Sequence, residues 1–157
     1  DVVVGENQYY AMTSGEIDGV TGVDGPQAHK LLRVTYDPSS VTGDRPIAAH
    51  SSAETLPDNA VVVRAYYYVH TTFTSATDAA TISVGIPTDD VAGIVAAIAI
   101  NNGGNPWDAG WHEGIQDGVA ANFANTTTAA RAISFTVAVE ALTAGKLILF
   151  LEYVVTD

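Results

Sequence analysis

The sequence has no cysteine and only six lysine or arginine residues among its 157 residues. Without cysteine, the chain has no disulfide framework, no thiolate metal site and no cysteine nucleophile. Because 18 residues are acidic, the formal net charge is −12, and the few basic residues form no cluster along the sequence. Such a surface repels phosphate backbones and anionic lipid headgroups, so we expect no nucleic acid partner and no membrane partner.

Motifs that mark common enzymes and metal sites are missing as well. The sequence contains no Gly-x-Ser-x-Gly elbow, no Walker loop and no dinucleotide-binding fingerprint. Its four histidines have none of the His-x-His or His-x-x-x-His spacings of zinc sites. Asp78, Asp89 and Asp90 lack the alternating oxygen ligands and the glycine of a calcium loop. We therefore expect no metal, no cofactor and no enzymatic activity.

Length and composition favour one domain with a large core. A domain of 157 residues buries roughly 68–70% of the surface that its unfolded chain exposes. Hydrophobic residues make up 47% of the sequence and charged residues only 15%. This composition fits a protein that packs against others, and it equally fits a compact monomer whose surface is rich in Thr, Ser and Asn.

Alternating apolar residues near the end of the chain predict two strands. In the first strand the apolar positions are Ile133, Phe135, Val137 and Val139. Their period of two is typical of a half-buried strand. Residues 147–155 are apolar on both faces, which favours a central position in a sheet. Between the two segments, Ala144 and Gly145 predict the turn of an antiparallel hairpin.

Residues 60–73 form the longest predicted strand. Its alternation places Tyr67 on the core face and both Tyr66 and Tyr68 on the opposite face. Residues 75–79 predict a turn, after which residues 82–86 are expected to form the partner strand.

The remaining predicted elements are shorter. Residues 29–36 alternate as a first strand, whereas residues 41–59 have the composition of a loop, with at most a short edge strand at residues 46–50. A short helix is predicted from about Asp89, because acidic residues precede apolar residues spaced i, i+3, i+4 and i+7, and we expect it to run into a strand by Ile98. The predicted fold is an all-β antiparallel sandwich of seven to eight strands with one short helix.

The first 28 residues differ from the rest because five glycines interrupt a polar run. We interpret residues 1–28 as an extended arm that precedes a single sandwich domain at residues 29–157. Val3, Tyr9 and Tyr10 are the candidate arm contacts, since apolar and aromatic side chains need a surface to bury against. The arm either folds back on its own domain or lies on a neighbouring subunit, and the sequence leaves both alternatives open.

Residues 101–125 form the longest stretch without a period, and they contain both tryptophans. A loop of this length is usually functional or covered by a partner. Large rigid rings with polar tips anchor protein interfaces and also stack against sugars. The candidate interface or ligand platform therefore consists of Trp107, Trp111, Tyr66 and Tyr68. A further interpretation is that the two tryptophans cap an open end of the sandwich.

Four segments of the sequence, residues 66–82, 105–110, 128–131 and 139–146, read YYYVHTTFTSATDAATI, NPWDAG, TAAR and VEALTAGK. They resemble a family of small structural proteins of tailed bacteriophages, and the resemblance covers about residues 60–155. It implies a β-sandwich of jelly-roll type that lies on the outer surface of the phage head as a decoration or auxiliary protein. The implied partners are further copies of the chain, as a homotrimer, and a major capsid protein.

The expected function is that of a non-enzymatic virion structural protein that decorates or cements the capsid as a symmetric oligomer. A net charge of −12 suits the outside of a DNA-filled shell better than its inside. The alternative is a carbohydrate-binding or host-receptor-binding module of a phage fibre or tail. That module would bind a glycan on a platform of Trp107, Trp111, Tyr66 and Tyr68.

Overall fold

Eight strands make up the larger part of the chain that the structure, a computed structural model, describes. The described residues are 29–88, 90–114 and 126–156, without the side chains of residues 90 and 91. The strands are β1 (Lys30–Tyr36), β2 (Ala48–Leu56), β3 (Ala60–Ser75), β4 (Thr81–Ile86), β5 (Asp90–Ala99), β6 (Gly110–Glu113), β7 (Arg131–Ala138) and β8 (Leu142–Val155). A turn of 3₁₀ helix spans Thr42–Asp44. The predicted arm, with Val3, Tyr9 and Tyr10, lies outside the described residues.

The strands form two four-stranded sheets in which every paired strand is antiparallel. The front sheet has the order β1-β8-β3-β6 and the back sheet has the order β2-β7-β4-β5. Apart from β4, which is followed by its neighbour β5, each strand is followed by a strand of the other sheet. Eight strands wound in this way between two sheets form a jelly roll. The predicted all-β antiparallel sandwich of jelly-roll type is therefore confirmed.

The core lies between the inner faces of the two sheets. The central strand β8 contributes three leucines that are at most 1% exposed, Leu147, Leu149 and Leu151. The central strand β7 of the back sheet contributes three equally buried residues, Ile133, Phe135 and Val137. Both sets share one face of their strand by the period of two, so these predicted core faces and the central place of β8 are confirmed. The prediction is wrong for Val139, which follows the end of β7 and is 68% exposed.

The predicted hairpins are wrong, because the strands in question belong to different sheets. β7 lies in the back sheet and β8 in the front sheet, so the chain crosses the sandwich at residues 139–141. Ala144 and Gly145 make no turn, since they lie within β8, and Ala144 is paired with Thr74 of β3. In the same way β4 pairs with β5 and β7 but not with β3. Two strands that each have an apolar face bury more surface face to face than edge to edge.

The predicted helix at residue 89 is also wrong, because Asp90–Ala99 is strand β5. Its pairing with β4 contains two irregularities, between Ile82 and Val84 and between Val84 and Ile86. Such bulges break the period of two, and the neighbours Ile94 and Val95 are consequently both buried. The resulting spacing imitates a helix, while the β-branched residues favour the strand that forms.

Strand β2 is longer than predicted. The sequence predicts at most a short edge strand at residues 46–50, whereas β2 spans Ala48–Leu56 at the edge of the back sheet. Only Leu56 in this strand is buried. Because an edge strand pairs on one side and here faces solvent, it needs no apolar alternation, and its polar sequence resembles a loop.

Candidate functional site: an aromatic face on the front sheet

The two tryptophans of the predicted platform lie in different environments. Trp107 is fully buried, and its indole Nε1–H donates to the Ile98 carbonyl oxygen at 3.0 Å. Its ring contacts Tyr67 and Phe73, with centroids 5.7 and 5.8 Å away. Trp107 therefore belongs to the core and contributes nothing to a surface. Trp111, in contrast, lies on edge strand β6 and is 65% exposed.

Three of the predicted platform residues come together on the outer face of the front sheet. The period of two turns Tyr66 and Tyr68 outward on β3, and the register places Trp111 opposite Tyr68. Their ring centroids lie 6.2 Å (Tyr66 and Trp111) and 5.0 Å (Tyr68 and Trp111) apart. These distances are typical of packed aromatic pairs.

Phe150 completes this cluster, and the site prediction missed it. Its ring stacks on Tyr66 at 5.3 Å and lies 5.9 Å from Trp111. The signal was present in the sequence, because Phe150 alternates with the core residues Leu149 and Leu151 and so points outward. We call Tyr66, Tyr68, Trp111 and Phe150 the aromatic face.

Charged residues of both signs border the aromatic face. Arg64 Nη2 lies 3.7 Å from Glu113 Oε1, and its guanidinium carbon lies 5.0 Å from the centre of the Tyr66 ring. Glu152 is opposite Arg64 in the register, and Arg33 is opposite Phe150. An exposed ion pair of this kind contributes little to stability, about 0–1 kcal/mol. Aromatic residues and arginine surrounded by a polar rim are typical of protein interfaces.

A shallow depression adjoins the aromatic face, lined by Arg64, Tyr66, Trp111, His112 and Glu113. His112 is already engaged, since its Nε2 lies 2.7 Å from the Asp108 carbonyl oxygen and its ring stacks on Tyr67 at 5.2 Å. Within the described ranges, no three His, Cys, Asp or Glu side chains are placed to hold a metal ion. In the same ranges, no helix has the length and the apolar character that are needed to cross a membrane.

Two tyrosines with raised pKa values are structural. Burial raises the pKa of Tyr67 to about 12, and its hydroxyl donates to the Pro106 carbonyl oxygen at 2.9 Å. Burial, together with the nearby Asp44 carboxylate, raises the pKa of Tyr36, whose hydroxyl donates to the Asp44 carbonyl oxygen at 2.6 Å. Both groups stay protonated and hold the loops that follow the strands, so neither is a candidate acid or base.

At one end of the sandwich, four connections lie together, at residues 37–47, 76–80, 100–109 and 139–141. We call this the loop end. Glu140 ties two of these connections, because its carboxylate accepts hydrogen bonds from the Ser75 hydroxyl and from the Thr77 and Ala79 amides at 2.9 and 3.4 Å. The Ser75 and Thr77 hydrogen bonds lower the pKa of Glu140. Lys146 Nζ lies 2.9 Å from Asp37 Oδ2, which ties a third connection to β8.

The eight described strands define the class of this protein as a jelly roll with an aromatic outer face, and solved chains with the same fold occur in phage capsids. The chain is similar to one in the capsid of Ralstonia phage GP4, with a TM-score of 0.59 and 20% identity over 92% of this chain and 95% of that chain. A chain of the Cyanophage Pam1 capsid asymmetric unit matches with a TM-score of 0.61 and 17% identity over 87% and 91% of the two chains.

A third similar chain belongs to the acidic stable capsid structure of Helicobacter pylori bacteriophage KHP30. Its TM-score is 0.56 and its identity 15%, over 82% of this chain and 89% of that chain. At this level of identity, the three likenesses establish a shared fold. No protein-family model and no curated protein matches the sequence.

Proposed function

We propose that the protein is a non-enzymatic structural protein of a tailed-phage virion that decorates or cements the outer surface of the head. The observation that carries this proposal is the shared fold with chains of three phage capsids, which covers 82–92% of this chain. The net charge of −12 supports an outer position, where it repels other particles and avoids packaged nucleic acid.

The proposed working form is a closed symmetric oligomer, a trimer, in which the aromatic face lies between copies. Trp111 and its aromatic neighbours provide the large rigid side chains that dominate interface energies. The border of the aromatic face carries charges of both signs, from Arg64, Glu113, Arg33 and Glu152. Copies of the chain can therefore meet at this face without net repulsion, although their surfaces are acidic elsewhere.

The proposed mechanism is thermodynamic. A protein that binds only the assembled shell stabilises that state by mass action, by about 2.7 kcal/mol at a free concentration of 100 Kd. The arm of residues 1–28 would act as a tether to a neighbouring subunit. We therefore expect a chain that lacks residues 1–28 to keep its folded sandwich and to bind shells or copies of itself more weakly. Unchanged assembly and unchanged shell binding would rule out this role of the arm.

The first test is the solution mass, measured by light scattering over a range of concentrations. We expect a stable closed oligomer for the wild-type chain and a smaller species for Trp111→Ala. Val41→Ala is the matched control, since Val41 is also exposed, at 48%, but lies at the loop end. A folded monomer at every concentration for the wild-type chain would contradict the oligomer.

Trp107→Ala separates the two tryptophans. Because Trp107 is fully buried, its removal should lower the free energy of unfolding by roughly 3–5 kcal/mol. Trp111→Ala should cost much less, and its cost should vanish at protein concentrations low enough for the wild-type oligomer to dissociate. Thermal denaturation followed by circular dichroism measures both effects, and equal losses in the two variants would contradict the assignment of Trp107 to the core.

A second candidate function is glycan or host-receptor binding at the tip of a fibre or tail. The depression beside Trp111, with Arg64 and Glu113 at its border, is the observation that favours it, because aromatic rings stack on sugars while charged groups bind hydroxyls. A glycan array probed with the wild-type chain and with Trp111→Ala tests this function. Binding that Trp111→Ala abolishes, in a protein of unchanged oligomeric state, would favour the module over the virion component.

A further inference from the structure

Exposed apolar side chains are concentrated at the loop end. In the described part of the chain, five large apolar side chains are exposed, and three of them, Val41, Ile47 and Val139, belong to connections at this end. Ile47 is 57% exposed and Val139 is 68% exposed. Apolar side chains grouped at one end of a well-packed sandwich call for an explanation beyond folding.

Ile47 and Val139 lie on adjacent pieces of backbone. Ala48, which follows Ile47, is paired with Val137 of β7. On the other side of Ile47, the Arg45 carbonyl oxygen accepts a hydrogen bond of 2.9 Å from the Leu142 amide. The two bonded positions bracket Ile47 on one segment and Val139 on the other, so these two exposed residues lie on neighbouring pieces of backbone. Val41 lies in the same connection as Ile47.

The backbone at Val139 is strained. Its φ is +69°, a value that is a genuine outlier for a β-branched residue. The Glu140 amide donates to the Ala138 carbonyl oxygen at 2.8 Å, which makes Val139 the central residue of a γ-turn with positive φ. Glycine would turn the chain from one sheet to the other without this strain. The turn itself therefore does not explain why a valine projects into solvent here.

The surroundings hold this strained residue in place. Glu140, its neighbour, is fixed by hydrogen bonds from Ser75 at the end of β3 and from Thr77 in the connection that follows. Leu142 is fixed by Arg45 across the end of the sandwich. Strain that is over-determined by its surroundings is typical of functional positions.

The charges at the loop end indicate the kind of partner. The carboxylates at this end belong to Asp37, Asp44, Asp78, Asp108 and Glu140. The two cations are engaged: Arg45 donates to the Pro38 and Ser39 carbonyl oxygens at 2.6 and 2.9 Å, and Lys146 contacts Asp37 at 2.9 Å. An apolar patch with an acidic border fits an apolar pocket with a basic border. Contact between two copies through this end would bring like charges together.

We call the three residues Val41, Ile47 and Val139 the loop-end patch. We infer that this patch docks on a different protein, whose surface presents an apolar pocket bordered by lysine and arginine. This inference rests on the proposed function in one respect, since a virion component places that pocket on the capsid shell. The loop end would then face the shell, and the aromatic face would be left for contacts between copies.

The probe for the test is a preparation of capsid shells from the phage that encodes this protein, purified after the gene for the protein has been deleted. Labelled full-length protein is added back at increasing concentrations, and the bound fraction is measured after sedimentation. We expect Ile47→Ser combined with Val139→Gly to weaken binding at least tenfold. Val139→Gly alone should keep or raise the melting temperature, because glycine tolerates the positive φ of this turn, so that lost binding cannot be ascribed to unfolding.

Leu31→Ser is the matched control, because Leu31 is 56% exposed but lies on β1, away from the loop end. Binding of the Ile47 and Val139 double variant at the wild-type affinity, or equal weakening by Leu31→Ser, would overturn the docking surface and leave the proposed function standing. Failure of the wild-type protein to bind the shells would overturn the proposed function, and with it the shell as the occupant. Weaker binding at higher salt would support the basic border of the pocket.

Discussion

Gly145 has a role that differs from the one its sequence context indicates. Its φ is +143°, a region open to glycine, and it sits within β8 beneath the ring of Phe73. A Cβ atom at this position would lie 2.2 Å from Cδ1 of Phe73. The glycine therefore allows an aromatic ring to pack closely on the central strand, and close approach is a frequent reason for glycine inside a strand.

At this scale we predict that Gly145→Ala destabilises the domain by roughly 2–4 kcal/mol, because backbone strain and overpacking act together. The measurement is urea denaturation followed by circular dichroism. Gly43→Ala is the control, since a Cβ atom at Gly43 would meet nothing within 4 Å. Equal stability of the two variants would show that Phe73 moves aside without cost.

The two tryptophans lie in different environments that the sequence does not distinguish. Both lie in the stretch without a period, four residues apart. Trp107 fills the core between Tyr67 and Phe73, whereas Trp111 lies on β6 in register with Tyr68. Only the position of β6 at the edge of the front sheet separates them.

At the scale of elements, the crossings between the sheets are held by side chains at the loop end. Glu140 follows β7, and its carboxylate accepts hydrogen bonds from Ser75 at the end of β3, in the other sheet, and from Thr77 just after it. This contact joins the connection after β7 to the connection after β3. The sequence incorrectly predicts a hairpin at each of these two places. Local patterns identified the strands, and long-range contacts such as this one select their partners.

Glu140 gives this end of the sandwich a defined pH dependence. The pKa of Glu140 is lowered in the folded state, so its contribution to stability is complete above the unfolded value of about 4.3. It is lost as the pH falls through the folded pKa. Burial alone would raise the pKa of Asp37, but hydrogen bonds from Lys146 and Ser40 lower it, which gives a contribution of the same sign.

We therefore predict that Glu140→Gln lowers the melting temperature by a constant few degrees between about pH 5 and pH 8. The difference from the wild-type chain should shrink below about pH 4. Calorimetry across this range measures it, with Glu54→Gln on the exposed edge strand β2 as the control. A difference that persists undiminished at pH 3 would mean that Glu140 acts through packing and not through its charge.

At the scale of the whole molecule, the net charge of −12 opposes folding by self-repulsion. The ion pairs of lysine and arginine between described residues, Arg64 with Glu113 and Lys146 with Asp37, are few and partly exposed. Screening should therefore remove more repulsion than attraction.

We predict that the melting temperature rises when NaCl is raised from about 10 to about 150 mM, which shortens the screening length from about 30 to about 8 Å. The protein concentration is chosen so that light scattering gives the same oligomeric state at both salt concentrations, because salt also changes association. A fall in melting temperature would mean that ion pairs outweigh self-repulsion.

The sequence by itself determined the all-β class, the positions of most strands and the face that each strand buries, because a period of two is a local property. It also determined that Tyr66 and Tyr68 point away from Tyr67. Only the tertiary structure decided which sheet each strand joins, that residues 90–99 form an edge strand, and that Trp107 is buried while Phe150 completes the aromatic face. These features depend on pairing between segments far apart in the chain and on bulges that shift the register, and no local pattern encodes either of them.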